Sequence, residues 1–303
     1  MKIGPQSMNS QPIYRHWITA EGHEGGDSPS GALFPYWSFT KTAISICALK
    51  LVEASYLRLD ARVSGQPFTL RQLLRHTSGL PDYEPLKSYR AAVAGKEEPW
   101  SRQKLLETAM AQGMLFDPDA GWSYSNIGYR YVRELIEETT GMPIGRVISD
   151  LLCQPLGLRS VKYWETPEQT ASLKSDAADG YDPRWVFHGC LIGSVSDAAH
   201  LLHALFHDQL LRAETRREML ARHVIGGTIP GRPWTECGYA LGLMSGEVGE
   251  IGRAIGHSGG GPFSVNAVYY FPDRPDPVTV ACFTDGEDEG VAEFEAVKIA
   301  KQV

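Results

Sequence analysis

The sequence predicts an α/β (α+β) chain, in which an antiparallel sheet is flanked by helices and interrupted by an all-helical segment. Strand patterns, in which β-branched and aromatic residues alternate, are concentrated after residue 189. Residues 58–188 favour helices and loops instead, and helical patterns lie near both ends of the chain. We therefore predict a sheet domain built from residues 1–57 and 189–303, with residues 58–188 as a helical insertion domain.

In the first half of the chain, apolar periodicity and capping residues mark the elements. Alternation at Ile13–Thr19 predicts a lone strand. Thr69 and Ser101 are good N-caps, whereas Gly141 and Pro143 end one helix and begin the next. The predicted helices run from Ser38 to about Tyr56, from Thr69 to near His76, from Ser101 to Ala111, from Ile127 to Thr140 and from Pro143 to Leu152.

In the second half, strands return between two helices. Strands are predicted at residues 238–244, 250–257, 263–271 and 278–284. Helices are predicted from Ser196 to about His207 and from Glu287 to Val303. In the last helix Val291, Phe294 and Val297 lie on one face, so we expect that face to cover the sheet.

Composition excludes several classes of partner. The 303 residues carry a net charge of −7 and no run of Lys or Arg, which argues against nucleic acid and anionic membranes. No apolar stretch is long enough to span a bilayer. The five dispersed cysteines are typical of buried free thiols in a reducing compartment. The N-terminal stretch lacks the apolar core of a secretory signal, so we expect a cytoplasmic protein, or a periplasmic one if a signal has been removed.

The first chemical motif is Ser38-Phe39-Thr40-Lys41. Residues three apart at the start of a helix share a face, so the lysine amine can reach the serine hydroxyl. The amine can take the hydroxyl proton only if its pKa falls well below the usual value. The motif is weak evidence alone, because Ser101-Arg102-Gln103-Lys104 has the same spacing. There Ser101 is better interpreted as a helix cap, with Lys104 on the polar surface.

Two later motifs could complete a site. In Tyr124-Ser125-Asn126, a phenol near an ammonium has a lowered pKa and can shuttle protons, while the amide can orient the lysine and the substrate. The alternative is an aromatic loop in which Asn126 caps the next helix. In His257-Ser258-Gly259-Gly260-Gly261, glycines let a substrate lie against a strand edge and free an N–H for an oxyanion. The alternative is a glycine-rich strand connection.

Taken in this order, the three motifs resemble the serine β-lactamase/DD-peptidase superfamily, in its class C β-lactamase-related branch of D-aminopeptidases, DD-carboxypeptidases and esterases. Further segments similar to the same family are residues 73–83, 116–126, 154–158 and 189–197. The resemblance implies a serine hydrolase whose active site lies in the cleft between the two domains. It also implies a small-molecule or short-peptide substrate and no metal or other cofactor.

The resemblance implies a role for each motif residue. Ser38 would be acylated, and Lys41 and Tyr124 would share the general-base function. Asn126 would position Lys41 and the substrate, and the main-chain N–H groups of Ser38 and Gly260 would form the oxyanion hole. His257 and Ser258 would contact the polar end of the substrate, and Gly259 would line the strand edge.

Two departures from the family pattern matter. Only about 37 residues precede Ser38, so the edge of the sheet is expected to be reduced or differently built. His257 stands where β-lactamases of this family carry lysine, and histidine supplies only a partial positive charge at neutral pH. We therefore expect peptidase, amidase or esterase chemistry. The alternatives are a true β-lactamase or penicillin-binding protein, and a non-catalytic binding module that keeps the fold.

Two further patterns have rival interpretations. Residues 256–260 fit the G-x-S-x-G elbow of α/β-hydrolases, but no histidine follows that could complete a triad in that order. His200, His203 and His207 share a helix face with Asp197, a spacing that could bind a metal. A polar surface beside a buried leucine stripe is the simpler explanation of that face.

Overall fold

The computed structural model describes residues 11–111 and 113–303. The first ten residues of the predicted sheet domain therefore lie outside the described residues. The strands in the described part are β1 (Ile13–Thr19), β2 (Glu24–Gly26), β3 (Phe34–Pro35), β4 (Lys162–Tyr163), β5 (Leu191–Gly193), β6 (His223–Gly226), β7 (Cys237–Tyr239), β8 (Met244–Glu247), β9 (Arg253–Gly260), β10 (Ser264–Phe271) and β11 (Val278–Asp285).

Eight of these strands form one antiparallel sheet in the order β2-β1-β11-β10-β9-β8-β7-β6. The first strand of the chain thus pairs with the last, and β9 and β10 lie in the middle of the sheet. A small second sheet has the order β3-β5-β4. The predicted class, an antiparallel sheet flanked by helices, is confirmed.

Ten α-helices are present in the described residues. They are α1 (Thr40–Glu53), α2 (Leu70–Leu74), α3 (Lys87–Ala94), α4 (Arg102–Ala109), α5 (Asn126–Thr140), α6 (Ile144–Ile148), α7 (Gln154–Leu156), α8 (Val195–Phe206), α9 (Ala213–Leu220) and α10 (Glu289–Gln302). Six of them, α2 to α7, fall inside residues 58–188, although the exact domain boundaries stay a prediction. None of the helices in the described residues has the length and apolarity needed to cross a membrane.

The large sheet has a helix on each face. Helix α8 packs against β1, β10 and β11, and α10 packs against β9, β10 and β11. Because side chains alternate along a strand, Val268 of β10 joins the core on the α8 side, whereas Ala267 and Tyr269 join the core under α10. Helix α1 packs into the same core as α8, and it contacts α5 and α6. The 3₁₀ turn Trp37–Phe39, just before α1, contacts the middle strands β9 and β10, and α1 contacts α5.

Three sequence predictions need correction. The strand predicted at residues 238–244 is interrupted after Tyr239, because Gly242 turns the chain with a φ of +84° and β8 starts only at Met244. The strand predicted at residues 250–257 starts at Arg253, after a short 3₁₀ turn, and continues to Gly260. Both errors arise where a left-handed glycine redirects an otherwise strand-like run.

The third correction concerns the buried face of α10. Val291 and Phe294 are 42% and 52% exposed, so two of the three predicted residues do not cover the sheet, whereas Val297 is half-buried against the core under α10. The helix instead presents its small residues to β10 and β11, which allows a close approach of the backbones. The buried residues are Gly290, Ala292, Glu293, Ala296, Ile299 and Ala300.

Candidate active site

Ser38 lies in a single 3₁₀ turn, Trp37–Phe39, that leads directly into α1. Trp37 has a φ of +43°, a left-handed conformation that is rare for a bulky residue and persists only when its surroundings enforce it. Strand β10 supplies that support. The Trp37 indole N–H donates to Ser264 Oγ at 2.9 Å, and Asn266 Nδ2 donates to the main-chain carbonyls of the two residues before Trp37, at 3.2 and 3.1 Å.

Lys41 is one helical turn after the serine and points at it. The lysine Nζ donates to Ser38 Oγ at 3.1 Å, and it lies 3.1 Å from Nε2 of His188. Both partners are uncharged, and no carboxylate of the described residues joins them. The side chain is fully buried. Loss of solvation lowers the pKa of Lys41 to about 7, although the carboxylate of Asp82 opposes this.

Tyr124 stands over the lysine. Its ring centroid is 4.9 Å from Lys41 Nζ. The buried hydroxyl forms no hydrogen bond of normal geometry among the described residues. Burial raises the pKa of Tyr124 well above its ordinary value, although the nearby Ser38 hydroxyl opposes the rise. The predicted lowering of this pKa is therefore wrong, because loss of solvation outweighs the attraction of the ammonium, and the phenol stays neutral.

Asn126 is held by a carboxylate rather than by the lysine. Its Nδ2 donates to Asp82 Oδ2 at 3.0 Å, and its main-chain N–H donates to Asp82 Oδ1 at 3.0 Å. The alternative of Asn126 as the N-cap of α5 is wrong, since Ser125 Oγ accepts from Gly128 N at 3.1 Å. Asn126 Oδ1 is buried without a partner in the described residues, so it remains available to a substrate donor.

Three polar residues near the lysine were not singled out in the sequence. Burial raises the pKa of Asp82 to about 6. Burial, reinforced by the charge of Lys41, holds the pKa values of His76 and His188 well below the usual one, so both imidazoles are neutral. The His76 ring accepts from Ser125 N through Nδ1 at 3.1 Å. His76 and Asp82 lie in one of the family-like segments, whereas nothing around His188 signalled its contact.

The third motif forms the second half of β9. His257 is 2% exposed, and its Nε2 accepts from the hydroxyl of Tyr239 at 2.9 Å. Its Nδ1 contacts the main-chain carbonyl of Ser258. Burial and the nearby Lys41 ammonium lower the pKa of His257 to about 3. The expected partial positive charge at neutral pH is therefore wrong.

The glycines that follow are needed because the nucleophile turn lies against them. A Cβ at Gly259 would be 2.8 Å from the main-chain nitrogen of Ser38, and one at Gly261 would be 2.3 Å from the Trp37 ring. In the described part of the sheet, β8 pairs with β9 only at residues 253–256. The edge at residues 257–260 therefore faces no strand on that side, as a substrate-binding edge requires.

Ser258 points to the opposite face of the sheet, towards α10. Its hydroxyl accepts from Arg232 Nη2 at 2.7 Å and donates to Glu289 Oε2 at 3.1 Å. Arg232 also pairs with Glu289 at 2.8 Å and with the fully buried Glu293. A buried serine inside a straight strand is not a nucleophile elbow, so the G-x-S-x-G interpretation is wrong. No local sequence pattern predicts this charged network.

The histidine face of α8 does not converge on one point. Asp197 Oδ2 accepts from the Ser160 main-chain N–H at 2.8 Å. The rings of His203 and His207 stack with their centroids 3.7 Å apart. Of the predicted set, only His200 belongs to a group of converging metal-ligand atoms among the described residues. The predicted four-residue arrangement is therefore not formed.

Known proteins share both the sequence pattern and the fold. The Beta-lactamase family model matches residues 8–303. Penicillin-binding protein 4* of Bacillus subtilis is 25% identical over an alignment that covers 96% of this chain and 69% of that protein. The D-aminopeptidase of Cereibacter sphaeroides is 32% identical over 132 residues, 41% of this chain and 24% of that protein.

Among solved structures, the D-amino acid amidase from Ochrobactrum anthropi SV3 superposes with a TM-score of 0.81 at 20% identity, covering 96% of this chain and 95% of that one. That likeness shows a shared fold. The family match leaves only the residues before position 8 uncovered. The chain belongs to the Beta-lactamase family and is a serine hydrolase of the β-lactamase-related type.

Proposed function

We propose that this enzyme hydrolyses amide, short-peptide or ester carbonyls through an acyl-enzyme on Ser38, with Lys41 as the base. The observation that carries the proposal is the buried Lys41 Nζ, which lies 3.1 Å from Ser38 Oγ and pairs with no carboxylate in the part of the chain that the structure describes. Its pKa of about 7 leaves about half of the molecules with a free amine near neutral pH. A free amine at hydrogen-bond distance is what a serine hydroxyl needs to become nucleophilic.

The proposed chemistry proceeds in two steps. Lys41 takes the Ser38 proton as Oγ bonds to the substrate carbonyl carbon, and main-chain N–H groups of Ser38 and Gly260 stabilise the oxyanion. As the bond to the leaving group breaks, the neutral phenol of Tyr124 gives that group a proton and is reprotonated by Lys41. In the second step the same pair takes a proton from water as the water oxygen attacks the acyl carbon, and it returns a proton to Ser38 Oγ as the acyl–Oγ bond breaks.

The charges around the cleft support a substrate without a carboxylate at the β9 end. His257 is neutral, and the charge of Arg232 is balanced by two glutamates. The carboxylates of Asp82 and Glu289 both act on Lys41. The carboxylate of Asp82, which accepts from Asn126 Nδ2, favours substrates that carry an amino group. The similarity to a D-aminopeptidase points to the same class, so we propose amino-acid amides and esters ahead of β-lactams.

A hydrolysis panel tests the substrate class. The purified protein is assayed with D- and L-amino-acid amides, with p-nitrophenyl esters and with nitrocefin. We expect kcat/KM for an amide or ester to exceed that for nitrocefin by at least tenfold. Nitrocefin turnover equal to that of the best ester would instead favour the β-lactamase or penicillin-binding alternative.

An activity-based probe tests the nucleophile. Labelling by a fluorophosphonate should be lost in Ser38→Ala and kept in Ser101→Ala, whose serine has the same spacing to a lysine but caps α4. Equal labelling of the wild type and Ser38→Ala would disprove the assignment of Ser38. No labelling of the folded wild type and no turnover of any substrate would favour the non-catalytic binding module.

A further inference from the structure

Two histidines and a glutamate outside the three motifs meet at the edge of the large sheet. His16 is on β1, Glu24 on β2 and His200 on α8. Glu24 pairs with Ile18, so its side chain lies on the same sheet face as His16, towards α8. Glu24 Oε2 lies 3.2 Å from His16 Nε2 and 3.3 Å from His200 Nε2.

These distances match the edges of a metal-coordination tetrahedron. Zinc binds imidazole nitrogen and carboxylate oxygen at about 2.0–2.2 Å, which places neighbouring ligand atoms about 3.3 Å apart. The three ligand atoms all lie within 4.8 Å of one another. Three protein ligands and one water are a normal zinc set, and His and Glu are ligand types that zinc accepts.

The hydrogen bond of His200 explains why a cation belongs there. Its Nδ1 lies 2.9 Å from the main-chain carbonyl of Ser196, and a carbonyl only accepts, so Nδ1 carries a proton. In the neutral ring, Nε2 then presents a lone pair to the carboxylate of Glu24. Two acceptors at this separation need a cation between or beside them. Orientation of a ligating histidine through its second nitrogen is typical of metal sites.

We propose that His16, Glu24 and His200 form a binding site for a first-row transition metal, with zinc as the best match. The metal would join the short hairpin of β1 and β2 to α8 and so fasten the edge of the sheet. That edge is small, since β2 has only three residues. A ligand that binds only the folded chain stabilises it by mass action. The proposed role of the metal is to hold the hairpin against α8, and it does not depend on hydrolysis at Ser38.

Metal binding is tested on tag-free protein stripped with a chelator and dialysed. Titration with ZnCl₂ should give one site per chain, and binding should raise Tm by several degrees. Co²⁺ at the same site should give the visible absorption of a tetrahedral nitrogen–oxygen complex. His16→Ala, His200→Ala and Glu24→Gln should each weaken Zn²⁺ binding at least tenfold. Glu24 is half exposed, so its conservative variant tests the site without disturbing the core.

Matched controls come from two other histidines. His203 lies one turn along α8 from His200, and His23 belongs to an exposed group with Glu21 and Asp276. His203→Ala and His23→Ala should keep the affinity, the Co²⁺ spectrum and the Tm rise. The proposal is overturned if the wild type binds no metal, or if the control variants lose binding as the three ligand variants do. Absence of metal binding in the wild type would mean that protonated histidines simply pair with Glu24.

Discussion

Lys41 combines full burial with the absence of a carboxylate partner among the described residues, and this combination supports its proposed role as the base. Arginine at this position would keep the positive charge but could not release its proton. We therefore expect Lys41→Arg to lower kcat/KM for an ester by about 10³-fold, in the range of general-base catalysis. Lys104→Arg is the matched control, because its side chain lies over Trp100 and away from the site. Comparable loss in both variants would contradict the role of Lys41.

The pH dependence of hydrolysis should report the same amine. Burial lowers the pKa of Lys41 to about 7, so the active free amine accumulates as pH rises and kcat/KM should increase through a single ionisation near that value. His257 cannot supply this ionisation, because its pKa of about 3 keeps it neutral throughout. A pH–rate profile of His257→Gln should therefore keep the same acid limb. If the rise of kcat/KM with pH disappears in His257→Gln, the ionisation belongs to the histidine.

At the scale of elements, β9 and the nucleophile turn fit only because two glycines lie between them. Gly259→Ala would place a Cβ 2.8 Å from the main-chain nitrogen of Ser38, so either the strand or the turn must move. We expect kcat/KM to fall by at least about 10²-fold, since small displacements of reacting groups are costly. Overpacking of this kind should also cost about 1–3 kcal/mol of unfolding free energy.

Gly226 provides the control for that substitution. It is a strand glycine of β6 with no atom within 4 Å of a Cβ built on it. Gly226→Ala should leave kcat/KM within twofold of the wild type and leave the urea midpoint nearly unchanged. If both alanine variants behave alike in the same assays, close contact between β9 and Ser38 is not what requires Gly259.

The elements differ in how well local sequence predicts them. The bounds of the strand at Ile13–Thr19 are predicted to the residue, because its β-branched and aromatic residues are a local signal, but its pairing with β2 and β11 is not. The capping box of Thr69 and the cap at Ser101 are likewise local signals. The face of α10 is not predictable in this way, since contact with the sheet selects its small residues and leaves Phe294 exposed.

For the whole molecule, the order of the three motifs predicted the site, and long-range packing decided its electrostatics. Sequence spacing alone predicts that Lys41 can reach Ser38, and the structure brings them together. It does not predict the neutral state of His257 or the raised pKa of Tyr124, because both follow from burial. The contact of Lys41 with His188 joins residues 147 positions apart, and no local pattern marks such a pair.

The charged network between β9 and α10 joins the active-site strand to the C-terminal helix, and Glu293 is its buried centre. Its carboxylate accepts from Arg232, from Tyr269 OH at 2.6 Å and from Trp234 Nε1 at 3.1 Å. Glu293→Gln removes the charge but keeps the shape, so Arg232 loses one of its two carboxylate partners. We expect a loss of about 3 kcal/mol of unfolding free energy in urea, as for a broken buried ion pair.

Lys298→Gln is the control on the same helix, because the Lys298 side chain is 60% exposed and Glu295 keeps its pair with Arg15, so the loss should be less than about 0.5 kcal/mol. Arg232 also donates to Ser258 of β9, so the same loosening should reach the substrate edge and lower kcat/KM in Glu293→Gln but not in Lys298→Gln. Equal urea midpoints for the two variants would show that helix packing, and not this network, holds α10 to the sheet. If Glu293→Gln loses stability without any change in kcat/KM, the network supports only the α10 face of β9 and does not affect the substrate edge.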